Sequence, residues 1–196
     1  MDLENVKDEQ LITDVQKNLD MVLHENLQLA GSIDYTQFPR LIGSIGQAKS
    51  IFLIASGRSG FSMRSAAMRL MHLGLKAYFV GDTTTPAIQP GDLLLAASGS
   101  GTTSTIVRAA EMAKQAGAKV IAITAGSTST LMQLSDHHIQ VPAAEKQDHG
   151  GSKSKQYAGS LFEQALLLVT DAIFQTLWAI DGTPAGELWK RHANME

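Results

Sequence analysis

The order of apolar and polar positions along the chain predicts strands and helices that alternate through its middle. Short, continuous apolar runs, typical of strands buried on both faces of a sheet, alternate with stretches whose apolar residues recur at helical spacing. Alternation of this kind predicts right-handed crossovers and a five-stranded parallel sheet between helices, a three-layer α/β/α sandwich. The predicted strands span residues 50–55, 77–80, 93–97, 119–124 and 138–141, and the helices between them span 63–73, 104–116 and 129–134.

Amphipathic helices are predicted on both sides of this alternating region. A long helix runs from about Leu3 to Leu29, and Gly31 is expected to end it. It lies outside any strand–helix repeat, so its apolar face could pack on the domain or on a second subunit. A second helix runs from a cap at Asp34 to about residue 47.

A polar, loop-like stretch at 143–158 separates the alternating region from a long helix at 159–177 and a short helical segment at 185–190. We expect one domain, in which the C-terminal helices complete the functional site. Its predicted parts are N-terminal helices in 1–48, an α/β core in 50–142 and C-terminal helices in 159–196.

The composition narrows the class of protein. Of 196 residues, 44% are hydrophobic and 18% are charged, which fits one globular α/β domain with a sizeable core. The formal net charge of -3 gives no sign of a basic nucleic-acid surface, and no apolar run reaches the ~18–20 residues of a membrane span. The acidic N-terminus lacks signal-peptide features, and the absence of cysteine fits a reducing compartment. We therefore expect a cytoplasmic protein without nucleic-acid or membrane partners.

Candidate chemistry is concentrated where the predicted third strand ends. There the chain reads Ser98-Gly99-Ser100-Gly101-Thr102-Thr103-Ser104 before a helix begins. Glycines let the backbone approach a ligand, hydroxyls donate hydrogen bonds, and a helix N-terminus favours anions. The stretch predicts an anion site, and we favour a phosphate. The alternative is a capped helix start with turn glycines and no ligand.

A second turn rich in glycine and hydroxyl groups, Ser56-Gly57-Arg58-Ser59-Gly60, follows the first predicted strand. Ligands of parallel sheets bind beyond the carboxyl ends of the strands, so both turns could face one crevice. Arg58 could contact a phosphate or a sugar hydroxyl, or else be exposed or ion-paired. The glycine spacing matches neither a dinucleotide fingerprint nor a P-loop, although Asp82 stands about where a ribose-binding acid would fall and keeps a dinucleotide site as an alternative.

Glu163 is the candidate general base near the start of the last long helix. Burial among its apolar neighbours would suit that role, whereas a solvated glutamate in a first turn would only complement the helix dipole. The local sequence alone favours the solvated interpretation. The six histidines form no spaced metal pair, so no metal site is predicted, and a structural role is expected for each of them.

Several of these stretches together resemble the sugar isomerase (SIS) domain family. They are Gly57-Arg58-Ser59-Gly60, Met68-Arg69-Leu70-Met71-His72-Leu73-Gly74 and Ser98-Gly99-Ser100-Gly101-Thr102-Thr103. Two further elements make the resemblance most specific for the 6-phospho-3-hexuloisomerase branch of that family: Gly159-Ser160-Leu161-Phe162-Glu163-Gln164 and His192-Ala193-Asn194-Met195-Glu196. The resemblance extends over nearly the whole chain.

The resemblance implies a homotetrameric enzyme without a cofactor that interconverts D-arabino-hex-3-ulose 6-phosphate and D-fructose 6-phosphate. It implies Glu163 as the base and His192 as a second catalytic residue, which in related isomerases can arrive from a neighbouring subunit. The family holds the substrate phosphate with positions that match Ser59, Ser98, Ser100 and Thr103. The remaining expected substrate contacts are Gly57, Arg58, Gly99, Gly101 and Thr102.

Two departures from the family pattern are visible. Met195 stands where leucine is common, and Thr102 stands where glutamate is common, which removes a charge close to the phosphate. The pathway stays open between formaldehyde assimilation by the ribulose monophosphate route, detoxification and pentose supply. Two other interpretations also stay open. The first is a non-catalytic SIS module that senses a sugar phosphate, which would keep the hydroxyl loops but needs no glutamate at 163. The second is an aldose–ketose isomerase, such as one acting on arabinose 5-phosphate, which would keep both the hydroxyl loops and Glu163.

Overall fold

A computed structural model of the chain describes residues 6–143 and 154–195. In these residues, helices cover both faces of a single parallel sheet, which is the predicted three-layer α/β/α sandwich. The strands are β1 (Ile51–Ile54), β2 (Ala77–Phe79), β3 (Leu93–Ala97), β4 (Lys119–Thr124) and β5 (His137–Gln140). The helices are α1 (Asp8–Ser32), α2 (Phe38–Gln47), α3 (Gly57–His72), α4 (Ser104–Gln115), α5 (Thr130–Leu134), α6 (Ser160–Asp181) and α7 (Ala185–Trp189), with a 3-10 turn at Tyr35–Gln37.

The strands are ordered β2-β1-β3-β4-β5, and every neighbouring pair is parallel. The chain runs from β1 to β2 on one side and then returns to β3 on the other side of β1. Ile54 at the end of β1 pairs with Ala96 near the end of β3. Such a reversal of strand order opens a crevice at the carboxyl ends of the two central strands, where ligands of open α/β sheets bind.

The sheet is buried on both faces because apolar residues occupy successive strand positions. Leu53 and Leu95 face the layer that contains α1, α2, α3 and α6, whereas Phe52 and Leu94 face α4 and α5. Neighbouring residues of a strand point to opposite faces, so a continuous apolar run requires cover on both. Helices α3 and α4 therefore leave the ends of β1 and β3 over opposite faces of the sheet.

The main difference from the sequence-based boundaries lies at the start of α3. The pattern predicts a turn at 56–60 and a helix from 63, but the helix begins at Gly57, whose φ of 61° makes the bend out of β1. Arg58 and Ser59 therefore lie in the first helical turn. Glycine and serine have low helix propensity, so the residues 57–60 do not predict a helix from their own sequence. Packing against the sheet stabilises the helix there.

Smaller boundary differences occur in the N-terminal helices. Gly31 does not end α1, which continues to Ser32, and Asp34 caps the 3-10 turn through the N–H of Thr36 rather than α2 itself. The predicted helix start at Leu3, residues 144–153 of the predicted polar loop, and Glu196 lie outside the described residues. Within the described ranges, no helix is long and apolar enough to cross a membrane.

Gly101 is the position in the loop after β3 where only glycine fits. Its φ is 63°, and a Cβ there would overlap the Ser129 side chain at the start of α5. The loop cannot move away easily, because the carbonyl of Gly101 accepts from the N–H of Leu131 at 3.0 Å and that of Gly99 accepts from the N–H of Ala125 at 3.0 Å. The loop is therefore locked against β4 and α5.

We predict that Gly101→Ala lowers the free energy of unfolding by about 3 kcal/mol, because strain from a positive φ adds to overpacking. Urea unfolding followed by circular dichroism measures the change. Gly43→Ala is the matched control, since Gly43 is exposed in α2 with open space around it. We expect this control to raise stability by about 0.5–1 kcal/mol. A Gly101→Ala protein as stable as the wild type would contradict the prediction.

Candidate active site

Three helices begin at one cavity beside the carboxyl ends of β1 and β3. In none of them does the side chain of the N-cap residue (Ser56 for α3, Thr103 for α4, Gly159 for α6) cap the first turn, within the residues described. The N–H groups and positive dipole ends of these helices favour an anion. The lining residues are Ser56, Gly57, Ser59, Ala97, Ser98, Gly99, Ser100, Thr103, Ile106, Gly159, Phe162 and Glu163.

The loop after β3 presents hydroxyl groups that internal hydrogen bonds hold in place. Ser98 Oγ accepts from the N–H of Gly101 at 3.1 Å and shares a hydrogen bond with Thr103 Oγ1 at 3.0 Å. Ser100 Oγ accepts from the hydroxyl of Thr102 at 3.0 Å and from its N–H at 3.3 Å. Because Ser100 Oγ accepts both of these bonds, its own O–H can donate to a ligand oxygen.

The first turn of α3 supplies the opposite wall of the cavity. Ser59 lies there, and its side chain is buried. Gly60 lets the turn approach the end of β1, since a Cβ at Gly60 would lie 3.1 Å from the carbonyl oxygen of Ala55. A side chain at Gly60 would therefore push the turn, and Ser59 with it, away from the loop after β3.

Glu163 is buried at the start of α6, with 8% of the residue exposed. Its Oε2 lies 3.1 Å from Nη1 of Arg58, which also donates to Ser160 Oγ at 3.2 Å. The backbone carbonyl of Glu163 accepts from the hydroxyl of Ser62 on α3 at 3.0 Å. Burial excludes the solvated glutamate that the local sequence favoured. The carboxylate instead lies at the cavity and is ion-paired with a guanidinium.

The structure brings together most of the residues that the sequence indicated. Seven of them line the cavity directly: Gly57, Ser59, Ser98, Gly99, Ser100, Thr103 and Glu163. Arg58 reaches the site through its guanidinium, although 62% of its side chain is exposed. Gly101 and Thr102 belong to the same loop but shape it rather than line the cavity: Gly101 is buried behind it, and Thr102 is exposed.

His192 lies elsewhere in this chain, at the C-terminal end of α3. Its ring stacks on His72 at 3.9 Å and on Trp189 at 4.5 Å between centroids. Arg191 Nη1 donates to the backbone carbonyl of His72 at 2.9 Å, which anchors the tail there. Since α3 has 16 residues and is about 24 Å long, His192 and the cavity lie at opposite ends of the helix.

His72 is one of the histidines for which the sequence predicts a structural role. Burial, followed by the nearby charges of His192 and Arg69, lowers the pKa of the His72 imidazole. The ring is therefore neutral at pH 7 and suits a packed position between α3 and the tail. Among the described residues, no group of three or more His, Cys, Asp or Glu side chains could hold a metal ion.

Three supporting residues were not identified from the sequence. Ser62 and Ser160 hold Glu163 and Arg58, and Phe162 forms a wall against Gly99. Ser160 and Phe162 stand inside the stretch 159–164, which carries part of the family resemblance, whereas nothing in the sequence marks Ser62. Asp82, the candidate ribose-binding acid, is ion-paired with Arg64 beyond the end of β2.

The chain is similar in sequence to named isomerases. A 3-hexulose-6-phosphate isomerase of Mycobacterium gastri is 52% identical over 183 residues, which cover 93% of this chain and 92% of that protein. A 3-hexulose-6-phosphate isomerase of Bacillus subtilis is 37% identical, with 89% of this chain and 95% of that protein covered.

The chain is also similar in structure to a protein related to these isomerases by its description. A crystal structure from Methanococcus jannaschii, described as inferring a function of 3-hexulose-6-phosphate isomerase, superposes with a TM-score of 0.79. It is 33% identical, and the match covers 92% of this chain and 99% of that one. The model of the SIS domain matches residues 44–168, which include the cavity and Glu163. The chain therefore belongs to the SIS domain family.

Proposed function

We propose that this chain is a 3-hexulose-6-phosphate isomerase that interconverts D-arabino-hex-3-ulose 6-phosphate and D-fructose 6-phosphate. The observation that carries the proposal is the position of Glu163, a buried carboxylate in the same cavity as the hydroxyl loop and three helix N-termini. Such a cavity offers an anion site and a base within one small volume. The names of the relatives at 52% and 37% identity support this choice of substrate.

Phosphate binding would position the substrate. The hydroxyls of Ser59, Ser98, Ser100 and Thr103 would bind the phosphate oxygens together with first-turn N–H groups, and Gly57 and Gly99 would let the backbone approach. The phosphate is remote from the reacting carbons, so its binding energy can orient C2 and C3 against Glu163. Gly101 and Thr102 would contribute by holding the loop.

Glu163 would transfer the proton. It would remove the proton from C2 of the 3-ketose to give a cis-enediolate, the proton of the C2 hydroxyl would move to the oxygen on C3, and Glu163 would return its proton to C3, which leaves the carbonyl at C2. Negative charge develops on the enediolate oxygens as the C–H bond breaks. Arg58, 3.1 Å from the carboxylate, is close enough to stabilise that charge.

The position of Glu163 also bears on the alternatives. A module that only senses a sugar phosphate would gain nothing from a carboxylate at its anion site, since the two negative charges repel. An isomerase for arabinose 5-phosphate would need the same base, so a comparison of substrates separates it. A dinucleotide site predicts stabilisation by NAD or NADP and none by sugar phosphates.

We further propose that the enzyme is a cytoplasmic homotetramer in which His192 serves a neighbouring subunit. Support comes from α1, whose exposed apolar residues can pack on another copy: Leu11, Ile12, Val15, Leu19, Leu23 and Leu27. The distance of His192 from the cavity of its own chain agrees with action in another subunit.

We predict that Glu163→Gln folds and binds substrate but loses about 1,000-fold in turnover, the scale of a general base. The assay follows fructose 6-phosphate formation, together with exchange of the C2 proton in deuterium oxide. Glu187→Gln is the matched control because Glu187 is exposed and paired only with Lys190 in the described part of the chain. Wild-type exchange in Glu163→Gln would remove Glu163 as the base.

Removal of the Ser59 hydroxyl should weaken phosphate binding without loss of stability. We expect Ser59→Ala to raise KM for the hexulose phosphate about 10-fold, the value of one hydrogen bond to a charged group. Competition by inorganic phosphate should weaken in parallel. Ser135→Ala, at the end of α5 and outside the cavity, is the control. An unchanged KM would show that Ser59 does not contact the phosphate.

We predict that His192→Ala affects the two directions of the reaction differently. Furanose closure of the 3-ketose onto C3 would need the C6 oxygen, which carries the phosphate, so this substrate stays open-chain. Forward kcat should therefore stay within about threefold of the wild type, whereas kcat for fructose 6-phosphate should fall further. The KM for fructose 6-phosphate should fall with it, because cyclic substrate would bind without reacting and the equilibrium constant fixes the ratio of the two kcat/KM values. Equal losses in both directions with intact binding would indicate a proton-transfer role for His192 instead.

A further inference from the structure

A chain of polar side chains joins α1 to the start of α6. Asn26 Nδ2 donates to Gln164 Oε1 at 2.7 Å, Gln164 Nε2 donates to Gln156 Oε1 at 2.7 Å, and Gln156 Nε2 donates to Glu25 Oε2 at 3.0 Å. We call these four residues the glutamine relay. Gln164 directly follows Glu163 in sequence, and the proposed reaction makes no use of it.

Glu25 determines the direction of every bond in the glutamine relay. Its carboxylate only accepts, so Gln156 must present its NH₂ to Glu25 and its oxygen to Gln164. Gln164 must then present its own oxygen to Asn26. At the far end, Asn26 Nδ2 also donates to the carbonyl of Val22 at 2.9 Å, which forces the same orientation. An acceptor at each end thus leaves a single arrangement of the three amides.

Glu25 also anchors the backbone that leads into α6. Its Oε2 accepts from the hydroxyl of Ser154 at 2.6 Å, and its Oε1 accepts from the N–H of Lys155 at 2.8 Å. Partial burial raises the pKa of Glu25, but the hydrogen bonds from Ser154, Lys155 and Gln156 and the charge of Lys155 outweigh it and lower the pKa. The carboxylate is therefore ionised at neutral pH, as the acceptor-only role requires.

The start of α6 lacks a side-chain cap of its own. Its N-cap is Gly159, at φ 83°, which has no side chain to bond the N–H groups of the first turn. Helix ends without caps fray, and Ser160 and Glu163 lie in this first turn. The glutamine relay bonds the chain both before this turn, at Gln156, and after it, at Gln164. It therefore restrains the turn from outside.

The glutamine relay is also costly for stability. Asn26 Oδ1 is buried and has no hydrogen-bond partner among the described residues. Its amide uses both hydrogens on Val22 and Gln164 and leaves its own oxygen unpaired, which a packed apolar side chain would avoid. A partly buried polar connection of this kind contributes a fixed orientation rather than a gain in stability.

We propose that Glu25 is a positioning residue for Glu163. Through Gln156 and Gln164 it holds the first turn of α6 against the anion-binding loops, while Ser62 holds the same turn from the α3 side. Glu25 does not touch the substrate and acts only on the position of the base. This role rests on the proposed function, in which Glu163 moves the proton.

The test compares Glu25→Ala and Glu25→Gln with Asp14→Asn. Glutamine can retain at most two of the three hydrogen bonds to the Glu25 carboxylate, whereas alanine retains none. Asp14 also lies on α1, is exposed, and bonds only to Gln10 within the described residues, so it controls for the loss of a charge on this helix. We expect kcat to fall about 10-fold in Glu25→Ala and less in Glu25→Gln, because small displacements of a catalytic group are costly. KM should change less than kcat, since the hydroxyls proposed to bind the phosphate lie outside α6 and only the first-turn N–H groups of α6 would move.

A double-mutant comparison and a substrate-free measurement complete the test. If Glu25 acts through the glutamine relay, Glu25→Ala combined with Gln164→Leu should lower kcat no further than either alone. Amide hydrogen exchange of residues 154–164 should accelerate in Glu25→Ala but not in Asp14→Asn. An unchanged kcat, additive losses, or a rise in KM alone would overturn the proposal. If the wild type does not isomerise the hexulose phosphate, the proposed function fails, and the exchange data alone then decide whether Glu25 restrains α6.

Discussion

The reversal of strand order between β1 and β3 is the constraint on which the site depends. Strands that are apolar throughout need helices on both faces, and right-handed crossovers send α3 and α4 to opposite faces from adjacent strands. The N-termini of α3 and α4 therefore lie side by side because β1 and β3 are neighbouring strands. Helix α6 packs on α3 and adds a third N-terminus, which closes the cavity.

The electrostatics of the cavity combine opposing demands. Three positive helix ends and a set of hydroxyls favour an anion, yet a buried carboxylate must remain beside it. Arg58 offsets the negative charge of Glu163 beside such an anion, because its guanidinium bonds Glu163 and Ser160 from the exposed side. The guanidinium lies at the rim of the cavity, where 62% of the Arg58 side chain is exposed, while the carboxylate that it bonds is buried.

The surroundings of α6 show how polar bonds supply precision where apolar packing cannot. Leu161 and Phe162 bury the first turn, but apolar contacts are non-directional and tolerate small rotations of the helix. Hydrogen bonds from Ser62 on one side and through Gln164 on the other side specify one orientation. These directional bonds account for the buried polar residues Ser62 and Asn26 beside the start of α6, where apolar side chains would pack without fixing an orientation.

The sequence by itself determined the fold class, because runs such as Leu93–Ala97 and helical apolar spacing depend on local periodicity alone. It also marked the loop 98–103, where glycine and hydroxyl groups precede a helix, and residues of this loop line the cavity. Tertiary structure decided the features that depend on contacts between residues far apart in the chain. Burial of Glu163 depends on α3, the helical state of 57–60 depends on packing against β1, and the bonds from Glu25 to Gln164 join positions far apart in the chain. Such long-range contacts follow from the path of the chain around the sheet, which no window of neighbouring residues encodes.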